Sequence, residues 1–161
     1  MRTIQLAGKN GDGKSASVSE EDYEFLSQWT WCLIHKGYAI RTDRTDRKKS
    51  VYMHIEIAKR CGVFVPGLQV DHRDGNKLNN TRNNLRAATN QQNQANVGLQ
   101  KNNRSGFKGV TLKKGKTSRP WVARIGVGRH RIHLGYFQTT KEAHEAYSRA
   151  AVEHFGEFAR Y

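Results

Sequence analysis

The segment "VDHRDGNKLNNTRNNLRAATNQQN", residues 70–93, most constrains the fold of this 161-residue chain. An apolar run ends in Asp71-His72, and twelve mostly polar residues follow before the next apolar run begins at Leu85. These residues are too polar for a core and predict a loop between two short strands. Thr89, with Gln92 three positions later, is the pattern of a helix start. The segment therefore predicts strand, loop, strand and helix in close succession.

Upstream, the turn residues Asn-Gly-Asp-Gly between two strand-like runs predict a β-hairpin over residues 3–19. Ser19 and Asp22 predict a capped helix, followed by strand pieces, a charged loop over residues 41–50 and a helix over 50–62.

The hairpin turn "GKNGDGKS" also matches the phosphate-loop pattern. Strand-favouring residues follow it where a helix should begin, so we expect a plain turn and no nucleotide cofactor, with nucleotide binding as the alternative.

Downstream of a polar linker at 98–104, three strand-like runs precede a helix that Thr139 and Glu142 cap and Gly156 ends. Alternation directs one set of strand side chains toward the helix: Val110, Leu112, Trp121, Ala123, Ile125, Ile132, Leu134 and Tyr136. The other set predicts a polar, basic outward face: Thr111, Lys113, Val122, Arg124, Gly126, Arg131 and His133. The predicted fold class is α+β, with a small antiparallel sheet covered on one face by one helix.

The formal net charge of +14 predicts an anionic partner, of which nucleic acid is the commonest and a membrane surface the alternative. Residues 98–161 carry 13 basic and 4 acidic side chains, so this shorter part holds most of the excess. The chain has no long apolar span, signal peptide or lipidation motif. We therefore expect a soluble cytoplasmic protein with no membrane partner.

The side chains of Asp71, His72 and Asn93 are of the types that phosphodiester hydrolysis requires. A general base must deprotonate water, and a cation must be held against the scissile phosphate. Asp71 and Asn93 can offer oxygen ligands, and a neutral His72 can act as base near neutral pH. The alternative is a polar strand end with turn-forming asparagines. Arg73 and Arg86 are candidate phosphate contacts or solvated surface, and we interpret His54 as structural.

The phrase "VDHRDGNKLNNTRNNLR" resembles the signature of HNH homing endonucleases of phages and introns, whose core is a ββα unit around one metal ion. The resemblance implies that His72 is the general base, that Asp71 and Asn93 bind the metal, and that Asn84 braces the loop and orients His72. It implies one divalent ion, Mg²⁺ or Mn²⁺. The chain departs from a strict His-Asn-His pattern in the last position, where Asn93 stands in place of a histidine.

The stretch from Ser105 to Ala159 resembles the AP2 DNA-binding domain, through landmarks such as "WVA" at 121–123 and "LGYF" at 134–137. In that family the sheet lies in the major groove of DNA. The resemblance implies DNA contacts at Thr111, Lys113, Arg124, Arg131 and His133. Gly126 and His133 replace an arginine and a tryptophan of that family, so the target sequence is not inherited.

Together these features predict four segments: an N-terminal hairpin and helix at 1–50, an HNH core at 51–97, the linker at 98–104 and an AP2-like domain at 105–161. The predicted function is metal-dependent cleavage of double-stranded DNA by a monomer or homodimer in a bacterial or phage-infected cell. Cleavage would leave 5′-phosphate and 3′-hydroxyl ends. The alternative is an AP2-type DNA-binding regulator with a degenerate nuclease core.

Overall fold

The structure is a computed structural model that describes residues 1–43, 45–46, 49–115 and 117–161. Its elements form an α+β fold in two compact units, residues 1–88 and 89–161. None of the helices within the described ranges has the length and apolarity needed to cross a membrane. The predicted division into four segments remains a prediction.

The first unit begins with the predicted hairpin. Strands β1 (Arg2–Ala7) and β2 (Ser15–Val18) pair antiparallel, and residues 8–14 form the turn between them. Gly8 and Gly13 adopt positive φ there, the region that glycine enters without a steric penalty. The phosphate-loop match is thus followed by strand β2, so the prediction of a hairpin turn is confirmed.

Helix α1 (Glu20–Ser27) follows, then β3 (Trp31–Leu33), β4 (Ala39–Thr42), β5 (Ser50–Tyr52) and α2 (Met53–Arg60). The predicted helix over 50–62 is therefore shorter, because its first three residues pair with β4. The predicted charged loop over 41–50 includes residues 44, 47 and 48, which lie outside the described residues.

The central segment forms β6 (Gln69–His72), β7 (Asn79–Asn80) and β8 (Leu85–Ala88). Strands β6 and β8 pair antiparallel as predicted. The connecting loop contains β7, which pairs with β2 and completes a six-stranded sheet of order β5-β4-β3-β1-β2-β7. The middle of the loop is thereby anchored to the N-terminal hairpin.

One apolar cluster joins the N-terminal elements to α2 and the β6–β8 pair, so residues on both sides of position 50 share a core. The larger buried side chains of this core are Trp31, Leu26, Met53 and Ile57. The Trp31 indole donates a hydrogen bond to the carbonyl of Leu26 at 2.8 Å, which satisfies its one polar atom inside the core.

Asp22, one of the three acids in the first turn of α1, is fully buried and does not cap the helix as predicted. Its carboxylate accepts from Arg60 on α2 at 3.1 Å and from two nitrogens of Arg82 at 2.7 and 2.8 Å. The Ser19 hydroxyl accepts from the backbone N–H of Arg82 at 2.9 Å, and makes no side-chain cap on α1. The predicted capping box is therefore wrong, and both side chains instead fix the loop that precedes β8.

The second unit comprises α3 (Asn90–Asn96), β9 (Val110–Leu112), β10 (Trp121–Val127), β11 (His130–Phe137) and α4 (Thr140–Phe155). The strands form an antiparallel sheet of order β11-β10-β9. Both predicted capping boxes, Thr89 with Gln92 and Thr139 with Glu142, are present. Alanines and Tyr147 of α4 pack against Val110, Ala123 and Ile125 of the sheet.

This sheet departs from the predicted pattern at three positions, and Tyr136 is the one whose face is reversed. The β10–β11 register shifts next to Arg124, because Ala123 pairs with Gly135 while Arg124 pairs with His133, so Leu134 is the extra residue of a bulge. A one-residue bulge reverses the alternation beyond it. Tyr136 is consequently 43% exposed rather than inward, and it lies near His133. Val122 is buried although it pairs with exposed Thr111 on the outward face, and Leu112 is 62% exposed although it pairs with Trp121.

Candidate active site

Strands β6 and β8 place Asp71 directly opposite Arg86 and His72 opposite Leu85. Directly opposed residues of an antiparallel pair project to the same side, so the carboxylate and the guanidinium meet. Arg86 approaches Oδ2 of Asp71 with both Nε and Nη2 at 2.9 Å, and both side chains are buried. The alternative of a solvated surface position is thus wrong for Arg86, while its predicted phosphate contact remains a prediction.

His72 is 4% exposed, and its Nε2 lies 3.0 Å from Oδ1 of buried Asn80. The Asn80 amide nitrogen points to the Met53 sulfur at 3.5 Å, a weak acceptor, and this contact orients the amide with its oxygen toward the imidazole. An amide oxygen only accepts, so this arrangement assigns the proton to Nε2 and the basic lone pair to Nδ1. Asn80 thereby fixes the tautomer in which Nδ1 can receive a proton.

Aromatic side chains surround the same imidazole. The ring centroid of His54 lies 5.2 Å from that of His72, and the Tyr38 centroid lies 6.2 Å away. Burial lowers the pKa of His54 to about 3, and burial also lowers the pKa of His72, although the Asn80 hydrogen bond opposes that shift. Both rings are therefore neutral near neutral pH, which is the state a general base requires.

The loop between β6 and β8 is held by amide side chains around Asp74. Asn84 donates from its amide to the Asp74 carboxylate at 2.9 Å and to the Asn79 carbonyl at 2.7 Å, and its Oδ1 accepts from the Asp74 N–H at 3.1 Å. Burial alone would raise the pKa of Asp74, but hydrogen bonds from Asn79, Asn76 and Asn84 outweigh it and hold that pKa below its usual value. The asparagines of this loop thus serve as internal braces.

The other predicted site residues lie farther along the chain. The backbone N–H of Arg73 donates to the Asn84 carbonyl at 2.8 Å, and its side chain is exposed. Asn93 lies on α3 in the second unit, where its backbone N–H bonds to Thr89. Within the described residues, no group of three His, Cys, Asp or Glu side chains has the arrangement of a metal site. The metal-binding roles of Asp71 and Asn93 remain predictions.

A family model described as HNH endonuclease matches residues 51–95, from β5 to the last turn of α3. An uncharacterized HNH endonuclease of Acanthamoeba polyphaga mimivirus is 34% identical over 149 residues, which are 92% of this chain and 75% of that protein. The chain belongs to the HNH endonuclease family. Protein 3.8 of Escherichia phage T7 is 37% identical over 67 residues, 41% of this chain and 55% of that protein. No solved structure is significantly similar to the present chain.

In this HNH endonuclease, the five residues predicted to contact DNA in the second unit are all exposed: Thr111, Lys113, Arg124, Arg131 and His133. Arg124 pairs with His133 across the sheet, so their side chains share one face. The Tyr136 ring lies 4.7 Å from the His133 ring and 4.7 Å from the Lys113 ammonium. The bulge thus adds an aromatic side chain to the predicted contact face.

Sequence reasoning did not identify the role of Asn80 or the partner of Arg86, although both residues lie within the HNH signature at 70–86. Asn80 is one of eight asparagines between positions 76 and 96, and the local pattern does not distinguish it from the turn formers. The pairing of Arg86 with Asp71 depends on the register of β6 against β8. The closely spaced asparagines were the only signal available for Asn80.

Proposed function

We propose that this HNH endonuclease is a metal-dependent enzyme that hydrolyses phosphodiester bonds in double-stranded DNA. The observation that carries the proposal is the buried His72 imidazole, held by Asn80 through Nε2, directly next to Asp71 on β6. Such an imidazole is neutral and oriented before substrate binds, so little reorganisation is needed at the moment of reaction.

His72 would accept a proton at Nδ1 from a water molecule aligned with the scissile P–O bond. Asn80 would keep the ring in position while the imidazolium forms, because its oxygen can accept from Nε2–H in both protonation states. Asn84 would act through the loop, holding the chain that follows His72 by its bonds to Asp74 and Asn79. The expected products carry 5′-phosphate and 3′-hydroxyl ends.

The side-chain oxygens of Asp71 and Asn93 are the groups that would hold a divalent cation. A carboxylate and an amide suit Mg²⁺, which keeps several water and phosphate ligands and needs only one or two from the protein; Mn²⁺ is the alternative. When bound, the ion would neutralise charge that develops on the phosphate and the leaving oxygen. Arg86 supports this role for Asp71, because its two contacts to Oδ2 fix the orientation of the carboxylate.

The second unit would position the enzyme on DNA, in the way the AP2 resemblance implies. Its three-stranded sheet, backed by α4, supports this proposal. All four acidic side chains after residue 97 lie on α4 or the short turn after it: Glu142, Glu145, Glu153 and Glu157. The basic side chains of the sheet therefore face DNA without competing carboxylates. A monomer with one such site would nick one strand, and a homodimer could cut both.

Cleavage of supercoiled plasmid in Mg²⁺, in Mn²⁺ and in EDTA tests the proposal. We expect nicked or linear product with either metal and none in EDTA. DNA ligase should reseal the nicked circles directly, since it requires 5′-phosphate beside 3′-hydroxyl. Cleavage that persists in EDTA would contradict the metal requirement. Tight DNA binding without cleavage would instead favour the regulator with a degenerate core.

A further inference from the structure

An open groove of about 950 Å³ lies within the described part of the second unit. One wall is the segment 97–105, which contains the linker predicted at 98–104, and the other is formed by residues of the β9–β10–β11 sheet. The volume lies near the upper end of the roughly 300–1,000 Å³ typical of ligand pockets. It is large enough for a few nucleotides.

The wall formed by 97–105 is held in place by specific bonds. The Lys108 ammonium donates to the carbonyls of Ala95 and Val97, the last at 2.7 Å. The Ser105 hydroxyl donates to the Val110 carbonyl at 2.8 Å, and the Asn103 amide donates to the Phe107 carbonyl at 2.9 Å. Residues 97–105 therefore form a structured wall, and a ligand entering the groove would meet surfaces that are already ordered.

The groove is positively charged. Arg104, Lys114, Arg124 and Arg131 line it with exposed side chains, and no carboxylate occurs among its described lining residues. Lys108 also lines it, but its ammonium is engaged by the two carbonyls. Four cations with no acidic counterpart favour a ligand with repeated negative charges, as along a nucleic-acid backbone.

Exposed aliphatic side chains share the same groove. Val97, Leu99 and Leu112 are 52%, 50% and 62% exposed and all line it. Phosphates alone would gain nothing from these groups, whereas a base that has left the helical stack presents a flat apolar face. In a duplex those faces are covered by neighbouring bases. The combination of cations and aliphatic side chains therefore fits an unpaired strand better than a duplex.

We propose that this groove binds a short run of unpaired nucleotides, with the cations on the phosphates and the aliphatic side chains against the bases. The inference deepens the proposed function, on which it rests only for the choice of nucleic acid as partner. It gives residues 97–105 a binding role, in a groove that shares Thr111, Arg124 and Arg131 with the outward face of the sheet.

The test measures binding of a fluorescein-labelled eight-nucleotide oligo(dT), and of a duplex of the same length, to the full chain across a range of salt. Leu99→Ser should weaken binding of the single strand about tenfold, the scale for losing burial of a leucine, without changing the salt dependence. Arg104→Ala should lower the slope of log K against log salt by about 0.7, which is the change expected when one phosphate contact to a single strand is lost. Neither variant should alter duplex binding to a similar extent.

Matched controls are available on α4. Val152 is also 50% exposed and lies outside the groove, so Val152→Ser should bind both probes like the wild type. Arg149 is exposed on α4, and Arg149→Ala controls for the loss of one charge. Equal binding of the single strand by Leu99→Ser and wild type would overturn the proposal. So would equal weakening of both probes, or displacement of the oligonucleotide by a polyglutamate peptide at the same charge concentration.

Plasmid cleavage by Leu99→Ser separates this inference from the nuclease proposal. If cleavage in Mg²⁺ persists while single-strand binding is unchanged, the groove assignment is wrong and the nuclease stands. If the wild type binds the oligonucleotide as described but does not cleave plasmid under any metal condition, the groove assignment stands and the nuclease proposal does not.

Discussion

The His72 imidazole lies between an amide and two aromatic rings, and each neighbour acts on it differently. Asn80 holds Nε2 through a hydrogen bond, while the rings of His54 and Tyr38 pack beside the imidazole. Burial favours the neutral imidazole, and the hydrogen bond sets which nitrogen carries the proton. Position, tautomer and charge of the proposed base are thus set by Asn80 within the HNH signature and by His54 and Tyr38 outside it.

Replacing Asn80 with alanine tests the tautomer assignment. Nε2–H would be left buried without its amide partner, so the ring should rotate or change tautomer. We expect kcat to fall on the order of 10- to 100-fold while KM for DNA changes little. Asn80→Asp, which keeps an oxygen acceptor, should restore most of the rate. Steady-state kinetics separate the two parameters, and Asn76→Ala on the exposed part of the same loop is the control. A rise in KM with unchanged kcat would count against a positioning role.

His54 predicts a pH dependence of stability. Its pKa is about 3 in the folded chain and near 6.5 when unfolded, so the unfolded state binds more protons between these values. Stability should therefore be complete above about pH 6.5 and fall as the pH is lowered toward 3. Urea unfolding at pH 7.5 and 4.5 measures the loss, which should be smaller for His54→Phe than for wild type. An identical loss in both would show that His54 does not titrate as described.

At the scale of elements, the buried carboxylate of Asp22 ties α1 to α2 and to the loop before β8. Removing one partner of a buried ion pair leaves the others uncompensated, so Asp22→Asn should reduce the free energy of unfolding by about 3 kcal/mol. Glu20 pairs with Arg2 on the surface, and Glu20→Gln should cost less than about 1 kcal/mol. Urea denaturation of both variants compares the two. Equal costs would mean that the Asp22 cluster contributes no more than an exposed pair.

The same elements show which features the sequence could predict. Both confirmed capping boxes involve residues three positions apart, so a local pattern contains all the information. Ser19 matched that pattern, but its hydroxyl bonds to Arg82, which is 63 positions away. No local pattern contains such a partner, and the same holds for Asp71 with Arg86 and for His72 with Asn80.

Alternation in strands has a similar limit. It predicted the outward positions of Arg124, Arg131 and His133, which lie before or opposite the bulge. It failed at Tyr136, because the extra residue Leu134 reverses the faces beyond it. Gly135 adopts a φ of 136° beside this bulge, but a glycine in a strand does not by itself indicate where the ladder shifts.

At the scale of the whole molecule, charge is concentrated by sequence position and by element. Residues 98–161 have a net charge of +9, being 13 basic less 4 acidic, and those acidic residues lie on or just after α4. A surface of this kind attracts DNA from a distance and releases counterions on binding. The chain should therefore approach DNA with the sheet of its second unit rather than with α4.

Replacing Arg124 and Arg131 together with alanine tests this orientation. Losing two phosphate contacts should lower the slope of log K against log salt for duplex DNA by about 1.8. Fluorescence anisotropy between 50 and 300 mM salt, roughly the range in which such slopes are measured, provides the values. The control is the double variant Lys141→Ala with Arg149→Ala. Both residues are exposed on α4, so this variant removes the same amount of charge from the helix instead of from the sheet. Equal slopes for the two double variants would mean that net charge, and not the sheet, governs binding.

The rate of plasmid cleavage by His72→Ala in Mg²⁺, measured under single-turnover conditions beside wild type, tests the central claim most directly. General-base catalysis contributes on the order of 10²–10⁴ in rate, so the variant should be slower by that factor while its affinity for DNA is unchanged. A variant that cuts at the wild-type rate would contradict the assignment of His72 as the base that activates water.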